Sequence, residues 1–399
     1  MGVKVFMNIA SLELFHVAMP LKSKIKHASH ARKSSDNLVA RVTLANGVAG
    51  YGEGVPRAYV TGETIASTFE TLSRIDVARC FSAPRDFEEV VRGLESLVIA
   101  ETLDDPRGMR GNAARCALEL AVVDAYGRHF GASIADAVRL VDVEGVARNA
   151  APTGVRYSGA ITADDPRRER ISAWKMRLYG FHQVKVKVGV EGQDDAARLA
   201  KFRRILGNKL DLRLDANEAW PARELRSYVE PLLRFRPSAL EQPCPHEQLE
   251  EMAAVKSSLG VPIMLDESLC GLPDARRAVA LRAADVFNIR ISKCGGIVAS
   301  LRLAAIARAA GIAIQLGCHP GESGLLSAAG RQFAGIVQNI TYLEGSYDRH
   351  VLARNLIVED VTFGYGGRAR PIAGPGLGVT IDAAALADLT TEQRTIKYD

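Results

Sequence analysis

The sequence predicts an α/β barrel joined to a smaller α+β domain. From about residue 151 onward, short apolar or β-branched runs recur roughly every 25 to 30 residues, and a helical pattern lies between most of them. Repeats of that length are typical of a parallel sheet. Eight of them fit a closed barrel better than an open doubly wound sheet, which stays the alternative because it is built from the same units. The expected barrel domain covers residues 150–360.

Residues 1–135 predict the smaller domain. Two alternating runs flank Asn46 and Gly47, a pair that strongly indicates a β-hairpin. Helical patterns follow, and strands followed by helices are typical of an α+β domain. Residues 361–399 are rich in turn residues and then contain a short strand. We expect this last segment to pack back on the first domain, which would cap the barrel.

The composition is that of a soluble enzyme rather than of a nucleic-acid or membrane protein. The 399 residues are 47% hydrophobic and 24% charged, and the net charge of +5 is small for this length. No Lys/Arg block carries interleaved aromatic residues, and no run approaches the ~18 apolar residues of a membrane span. The six cysteines form no CxxC pair, and the N-terminus shows no secretion signal, so we expect a cytoplasmic protein.

The run FHQVKVKVGV places two lysines two residues apart on a predicted strand. Lys185 and Lys187 should project from one face of that strand, roughly 7 Å apart. On an ordinary strand this face would lie in water. The alternative is that both ammonium groups point into the barrel, where a neighbouring cation lowers the pKa of a lysine and makes it a usable base.

Acidic residues follow other predicted strands, at the barrel end where active sites form. Asp215, Glu241 and Asp266 come at the ends of three consecutive strands. One such acid alone would usually cap a helix, but three together suit a hard cation such as Mg²⁺. Lys293 lies four strands beyond the first two lysines and should reach a substrate from the opposite side. Bases on two faces of one carbon, with a metal holding a carboxylate, indicate proton abstraction α to that carboxylate.

Five spaced motifs, KVKVG, RLDANEAW, LEQP, IMLDES and NIRISKCGG, together resemble the successive barrel motifs of the enolase superfamily. Within it they are most similar to the muconate lactonizing enzyme subgroup of the mandelate racemase/muconate lactonizing enzyme family. The resemblance covers nearly the whole chain. It implies a modified (β/α)7β TIM barrel with an N-terminal α+β capping domain that the C-terminal tail completes. It also implies a homo-oligomer that requires Mg²⁺, with Mn²⁺ as a second candidate ion.

The resemblance assigns a role to each of these strand-end residues. The implied Mg²⁺ ligands are Asp215, Glu241 and Asp266. Lys187 and Lys293 would be the acid/base residues on opposite faces of the substrate carbon, and Lys185 would polarise the substrate carboxylate. Asn217 and Glu267 would orient the metal and the lysines, although Glu267 can also be interpreted as a carboxylate at a helix start.

The match to the muconate lactonizing enzymes is weaker over the last two predicted strands. In LGCHPGESGLLSAAG, Glu322 corresponds to a glutamate of those enzymes. His319 resembles the catalytic histidine of the mandelate racemase subgroup, but the Lys293 region replaces the aspartate that pairs with it there. We therefore interpret His319 as a residue that lines the pocket or hydrogen-bonds the substrate, rather than as a general base, and Glu322 as a further candidate for substrate binding. Glu344 could bind the far end of a substrate, although its segment lacks the DxD-like motif of dipeptide epimerases.

Two loops of the capping domain, HASHARKSSDN and GVPRAYVTGE, are the expected lids over the site. Their cationic and hydrogen-bonding residues are His27, His30, Arg32, Arg57 and Tyr59. Such residues suit a substrate with a second anionic group, such as a dicarboxylate. Each of them alone could equally be structural or solvated.

These observations predict an enzyme that acts on a small carboxylate through an enediolate intermediate, most like a muconate cycloisomerase. The alternatives are a racemase or epimerase of N-acyl amino acids or dipeptides, and an acid dehydratase or o-succinylbenzoate synthase-like enzyme. A binding protein on the same fold is disfavoured because the lysines and acids are all present.

Overall fold

The computed structural model describes most of the chain, namely residues 7–26, 31–99, 111–162 and 165–398. The side chains of residues 24–26 and 31–32 lie outside this description. No helix in the described ranges is both long and apolar enough to cross a membrane.

The N-terminal domain is an antiparallel sheet covered by helices. Its first strands are β1 (Ile9–Lys26), β2 (Ala31–Leu44) and β3 (Ala49–Gly54). Its helices are α1 (Ala58–Thr61), α2 (Ile65–Ser73), α3 (Val77–Cys80), α4 (Phe87–Ser96), α5 (Asn112–Phe130) and α6 (Ile134–Leu140). The predicted hairpin connects β2 to β3, and Gly47 in its turn has a φ of 84°. This order of strands and then helices confirms the predicted α+β architecture.

Helix α5 lies directly on β3 because glycines alternate along that strand. A Cβ at Gly50 would come within 2.0 Å of Ala125 N, and one at Gly52 within 2.1 Å of the helix backbone. Alternate residues of a strand face one side, so these glycines form a flat surface for the helix. The contact also places the N-terminus of α5 against the barrel, where Asn112 Nδ2 donates to Lys293 O (2.7 Å).

Within the described residues, eight parallel strands form one curled sheet in which neighbours in sequence are neighbours in space. A short strand, β4 (Val155–Arg156), precedes them. The eight are β5 (Gly159–Ile161), β6 (Gln183–Lys187), β7 (Asp211–Asp215), β8 (Ala239–Glu241), β9 (Ile263–Leu265), β10 (Val286–Ile289), β11 (Ala313–Leu316) and β12 (Ile340–Leu343). Ser158 N donates to Leu343 O (2.7 Å), which joins the first strand region to the last. The sequential order confirms the predicted barrel, because an open doubly wound sheet reverses its strand order.

Helices follow the barrel strands in turn. They are α7 (Pro166–Leu178), α8 (Asp195–Leu206), α9 (Leu225–Val229), α10 (Leu249–Lys256), α11 (Leu272–Ala280), α12 (Ile291–Cys294), α13 (Ile297–Ala309) and α14 (Gly324–Ile336). The last strand, β12, is followed by the short helix α15 (Asp348–Val351), which has four residues and takes the place of a full barrel helix. The barrel therefore has the (β/α)7β pattern. Helix α12 is an additional single turn between β10 and α13.

The C-terminal segment returns to the N-terminal domain. Strand β13 (Arg368–Ala369) pairs with β4, and helix α16 (Ala383–Leu389) then leads into β14 (Thr390–Lys397). Strand β14 pairs antiparallel with β1, which gives the sheet order β14-β1-β2-β3. The tail therefore completes the N-terminal sheet, as predicted.

Candidate active site

The two lysines of β6 lie inside the barrel rather than in water. The side chain of Lys185 is 8% exposed, and that of Lys187 is 25% exposed. Val184 and Val186, on the other face of the strand, are fully buried. Both faces of a barrel strand are covered, so the alternation of valine and lysine does not mark a solvent face here.

Lys185 is surrounded by carboxylates. Its Nζ lies 3.3 Å from Asp215 Oδ2, 3.2 Å from Glu241 Oε2 and 2.8 Å from Glu344 Oε2. Burial alone would lower the pKa of Lys185, but the charges of Glu241, Glu344 and Asp215 outweigh it and raise that pKa well above its ordinary value. The expected fall in pKa is therefore absent at Lys185 in the protein by itself, because three anions outnumber the neighbouring cations.

Lys187 contacts a different partner. Its Nζ donates to Asn217 Oδ1 and lies 3.9 Å from Asp215 Oδ2. Asn217 in turn donates from its backbone N to Asp215 Oδ1 (3.1 Å) and from Nδ2 to Glu267 Oε1 (3.4 Å). Asn217 thus connects Lys187 to two of the predicted site acids, and Lys187 is the more accessible of the two β6 lysines.

Lys293 lies on the other side of the barrel mouth. It belongs to α12, the single turn after β10, rather than to the strand end itself. Its fully buried Nζ donates to Asp266 O (2.6 Å), Asp266 Oδ1 (2.8 Å) and Asn288 O (3.0 Å). Burial lowers the pKa of Lys293 below its ordinary value, which agrees with the sequence expectation.

The three predicted metal ligands come from adjacent strands. Asp215 and Glu241 are the last residues of β7 and β8, and Asp266 directly follows β9. Burial raises the pKa of Glu241. Burial would also raise the pKa of Asp215, but Lys185 and Lys187 outweigh it and lower that pKa to about 2. Neighbouring strands of a parallel barrel thus bring three carboxylates to one edge, as the sequence predicted.

Cationic side chains lie between these carboxylates in the protein by itself. Arg290 Nη2 donates to Asp266 Oδ2 and lies 3.8 Å from Glu241 Oε1, while Lys185 lies between Asp215 and Glu241. The chain therefore places positive charge where the carboxylates converge, which a divalent cation could supply instead. A donor set made only of carboxylate oxygens fits Mg²⁺ by its chemistry.

A second network lies deeper in the barrel. Glu344 Oε1 accepts from Arg213 Nη2 (3.1 Å), while its Oε2 accepts from Lys185, so both carboxylate oxygens are occupied. Arg213 is fully buried, also donates to Gln315 Oε1, and its guanidinium lies 4.4 Å from the centre of the Tyr342 ring. Glu344 thus lies at the barrel end as predicted, but it is held by two cations of the chain.

The seventh-strand loop, which we define as residues 317–323, forms one wall of the site. It carries His319, whose backbone N donates to Glu322 Oε1 (2.6 Å). Two small pockets adjoin the loop, and both are lined by Cys318, Glu322, Ser327 and Ser346. Glu344 lines the first pocket and His319 the second. Burial raises the pKa of Glu322 to about 8.

Glu53 of β3 holds this loop, and sequence reasoning did not identify it. Its carboxylate accepts hydrogen bonds from Ser323 N (2.9 Å), Ser323 Oγ (2.6 Å), Leu326 N (3.2 Å) and Asn37 Nδ2 (2.6 Å). Burial nevertheless raises the pKa of Glu53 to about 7. The strand pattern GYGEG shows that Glu53 faces the same side as Tyr51, but only the fold shows the loop that it binds.

The predicted lid residues are described in part. His27 and His30 lie outside the described residues, and so does the side chain of Arg32. The guanidinium of Arg57 is buried and donates to Asp36 O (2.9 Å) and to Pro56 O (2.7 Å). Tyr59 is half-buried beside Val60 and Cys270. That these lid residues contact a substrate remains a prediction.

Comparison with known proteins places the barrel in one family. A family model described as enolase C-terminal domain-like matches residues 168–385. The chain is 28% identical over 383 residues to a hydrophobic dipeptide epimerase of Enterococcus faecalis, with 96% of this chain and 97% of that protein aligned. It is 27% identical over 401 residues to an N-succinyl-L-Arg/Lys racemase of Bacillus cereus, with coverages of 98% and 100%.

A relative with another named activity matches as well. Muconate cycloisomerase 1 of Rhodococcus opacus is 30% identical over 392 residues, with 96% of this chain and 99% of that protein aligned. Among solved structures, the E. faecalis dipeptide epimerase complexed with Mg and the dipeptide L-Leu-L-Tyr matches with a TM-score of 0.77 and 26% identity. That match covers 94% of this chain and 99% of the other.

Proposed function

The chain belongs to the enolase superfamily, and we propose that it is a Mg²⁺-dependent racemase or epimerase of N-acylated amino acids or related dipeptides. In this reaction a base removes the proton α to the substrate carboxylate, and an acid on the opposite face returns one. The relatives named as epimerases and racemases support this assignment over the muconate cycloisomerase that the sequence alone favoured.

The observation that carries the proposal is the placement of the lysines. Strands β6 and β10 are the second and sixth strands of the eight in sheet order, so they face each other across the barrel. Lys187 ends β6, and Lys293 lies one turn beyond β10. A substrate carbon held between them would meet one amine on each face, which is the arrangement that inversion at that carbon requires.

Each neighbouring residue has a distinct task in this proposal. Asp215, Glu241 and Asp266 would hold Mg²⁺, which when bound would bind the substrate carboxylate and offset the charge that develops on it. Lys185, fixed by its carboxylate partners as a cation, would stabilise the same negative charge rather than accept a proton. Lys187 would move a proton on its face of the substrate.

The contacts of Glu344 support N-acyl amino acids over dipeptides with a free amino group. A substrate ammonium at the end of β12 would need a carboxylate there to bind it. Both oxygens of Glu344 already accept from buried cations, Lys185 and Arg213, so the negative charge of Glu344 is offset and a substrate ammonium there would be repelled by two positive charges. An acylated nitrogen carries no charge and meets no such repulsion.

A muconate cycloisomerase is the second candidate, and the 30% identity to the Rhodococcus opacus enzyme over nearly its whole length favours it. Only one of the two lysines would then act, adding or removing the proton on its face of the carbon α to the carboxylate. An acid dehydratase or o-succinylbenzoate synthase-like activity has no comparable support.

A solvent-exchange experiment separates these activities. The protein is incubated with Mg²⁺ in D₂O with three substrate sets: N-acetyl and N-succinyl amino acids, dipeptides, and muconate. Deuterium at the α carbon is followed by NMR and inversion by chiral chromatography. We expect exchange with inversion, fastest in the N-acyl set. Consumption of muconate without exchange in the other two sets would contradict the proposal and favour the cycloisomerase.

A further inference from the structure

The loop after β7 has an unusual backbone conformation. Asn217 and Glu218 are neighbours in sequence and have φ values of 44° and 67°. Residues other than glycine rarely adopt such backbone conformations. Two such residues in succession persist only where surrounding contacts hold the backbone in place. Gln242 in the loop after β8 also has a positive φ, of 34°. The two loops therefore share a strained geometry at the edge of the candidate site.

Hydrogen bonds fix the first loop to the second. Glu218 N donates to Gln242 O (2.8 Å), and Trp220 N donates to Pro243 O (3.0 Å). The Glu218 side chain closes the connection, because its Oε1 accepts from His246 N (2.9 Å) and lies 2.7 Å from His246 Nδ1. Glu218 thus binds both the backbone and the imidazole ring of His246, which lies beyond the second loop.

The contacts between the two loops extend through Asn217 to Lys187, a proposed catalytic residue. Asn217, directly before Glu218, accepts from Lys187 Nζ through its side chain and donates to Asp215 Oδ1 through its backbone. A change in the backbone at Glu218 would rotate Asn217 and with it the acceptor that orients Lys187. Errors of about 1 Å in the position of a reacting group cost on the order of 100-fold in rate.

Glu218 and His246, together with Glu247, also form a cluster of potential metal ligands. Among the described residues, ligand atoms of Glu218, His246 and Glu247 lie within 4.8 Å of one another. However, Glu218 meets the ring at Nδ1 and Glu247 meets it at Nε2 (3.2 Å), on opposite sides of the imidazole. One metal ion binds one ring nitrogen, so it could not keep all three groups in these positions. The geometry is that of a hydrogen-bonded pair.

We propose that Glu218 and His246 are positioning residues that hold Asn217 and thereby orient Lys187, an inference that rests on the proposed role of Lys187. Their effect should be larger on one face of the substrate. Lys293 belongs to α12 and donates its hydrogen bonds to Asp266 and Asn288, so it is linked to this loop indirectly, through the 3.4 Å contact of Asn217 Nδ2 with Glu267 Oε1 and the bond from Asp266 N to Gln242 Oε1. Loss of the pair should slow proton transfer on the Lys187 face more than on the Lys293 face.

The test measures α-proton exchange of the two enantiomers separately, in D₂O with Mg²⁺. The enantiomer that Lys187 deprotonates is the one whose exchange Lys187→Met abolishes. For that enantiomer we expect Glu218→Ala and His246→Ala to lower kcat by about 10- to 100-fold, with KM changed less than about threefold. Glu218→Gln should recover most of the rate, because its carbonyl oxygen still accepts from His246 N. Glu251→Gln, at an exposed position on the neighbouring helix α10, is the matched control and should match the wild type.

Equal slowing of both enantiomers in Glu218→Ala would overturn the proposal, since it would mean general damage to the site. An unchanged rate would overturn it as well. If the wild type exchanges no substrate, the proposed function fails, and a crystal structure of Glu218→Ala decides the positioning role instead. Movement of Asn217 out of its positive φ, with Lys187 displaced, would support the role, whereas unchanged positions of both residues would refute it.

Discussion

Two buried regions of the molecule shift the pKa of an acidic side chain in opposite directions, at Asp215 in one and at Glu53 and Glu322 in the other. At the ends of β7 to β9, Asp215 lies against Lys185 and Lys187, and its pKa falls to about 2. At the seventh-strand loop, burial raises the pKa of Glu53 to about 7 and that of Glu322 to about 8. Burial disfavours the charged form in both places. At Asp215 the charges of Lys185 and Lys187 outweigh burial, whereas at Glu241, beside the same Lys185, burial still raises the pKa.

The two regions use their buried acidic residues for different purposes. In the region rich in cations, Lys185 and Lys187 keep Asp215 ionised. The seventh-strand loop is instead held by hydrogen bonds to an acid of the capping domain. These N–H and O–H donors lower the pKa of Glu53 without reversing the effect of burial. Hydrogen bonds alone therefore do not replace a cation beside a buried carboxylate.

The largest expected effect comes from removing a cation of the first region. Lys293→Met should lower the rate of racemisation by on the order of 1,000-fold, because one face of the substrate loses its acid/base residue. Chiral chromatography of an N-acyl amino acid measures this rate, and circular dichroism checks the fold. Lys256→Met, which removes a lysine paired with Asp285 outside the site, is the control. A loss of less than tenfold in Lys293→Met would contradict the assignment.

Removal of the metal should also act on the first region. Dialysis against EDTA should reduce turnover by at least about 100-fold, and added Mg²⁺ should restore it. Mn²⁺ should substitute, because both ions accept oxygen ligands. The far-UV circular dichroism should stay unchanged, since Lys185, Arg290 and Lys293 already offset the carboxylates. Full turnover in chelator, with metal absent by atomic absorption, would exclude a metal-dependent reaction.

A smaller effect is expected on stability at the seventh-strand loop. The pKa of Glu53 is about 7 in the folded protein against 4.5 as its ordinary value, so the folded state binds the proton more tightly. Stability from this group is thus full below about pH 4.5 and decreases by about 3 kcal/mol as the pH rises to about 7. Denaturant unfolding across this range measures the decrease. Glu53→Gln should lack this component, and identical pH dependence in both proteins would refute the prediction.

The smallest effect is expected for Glu322. With a pKa of about 8, its side chain is mainly a neutral acid at pH 7, which glutamine imitates. Glu322→Gln should therefore keep kcat/KM within about threefold of the wild type at pH 6 to 7. Above pH 8 the two profiles should diverge, because only the wild-type side chain becomes charged. Parallel profiles from pH 6 to 9 would show that this acid does not titrate in the range.

Much of the fold and the chemistry of the site could be predicted from local pattern. A parallel barrel repeats one short unit, so its strands and their polar ends can be read in order along the chain. Lys185, Lys187 and Lys293 stand out because lysine is unusual at the end of an apolar run. The acids at Asp215 and Glu241 stand out for the same reason.

The contacts across the barrel could not be predicted in this way. Arg213 pairs with Glu344 from residues 131 positions apart in sequence, and Glu53 binds Ser323 from 270 positions away. Neither pair belongs to one motif, and each becomes visible only when the fold brings the partners together. The raised pKa of Lys185 in the protein by itself has the same origin, since its three carboxylate neighbours come from three other strand ends.

The most direct test of the central claim follows exchange on each face with one lysine removed. An N-acyl amino acid that the wild type racemises is supplied as each pure enantiomer in D₂O to Lys187→Met and to Lys293→Met. We predict that neither variant inverts the α carbon, and that each still exchanges the α proton of one enantiomer, with opposite enantiomers for the two variants. Retention of exchange for the same enantiomer in both variants, or of racemisation in either, would contradict two lysines acting from opposite faces.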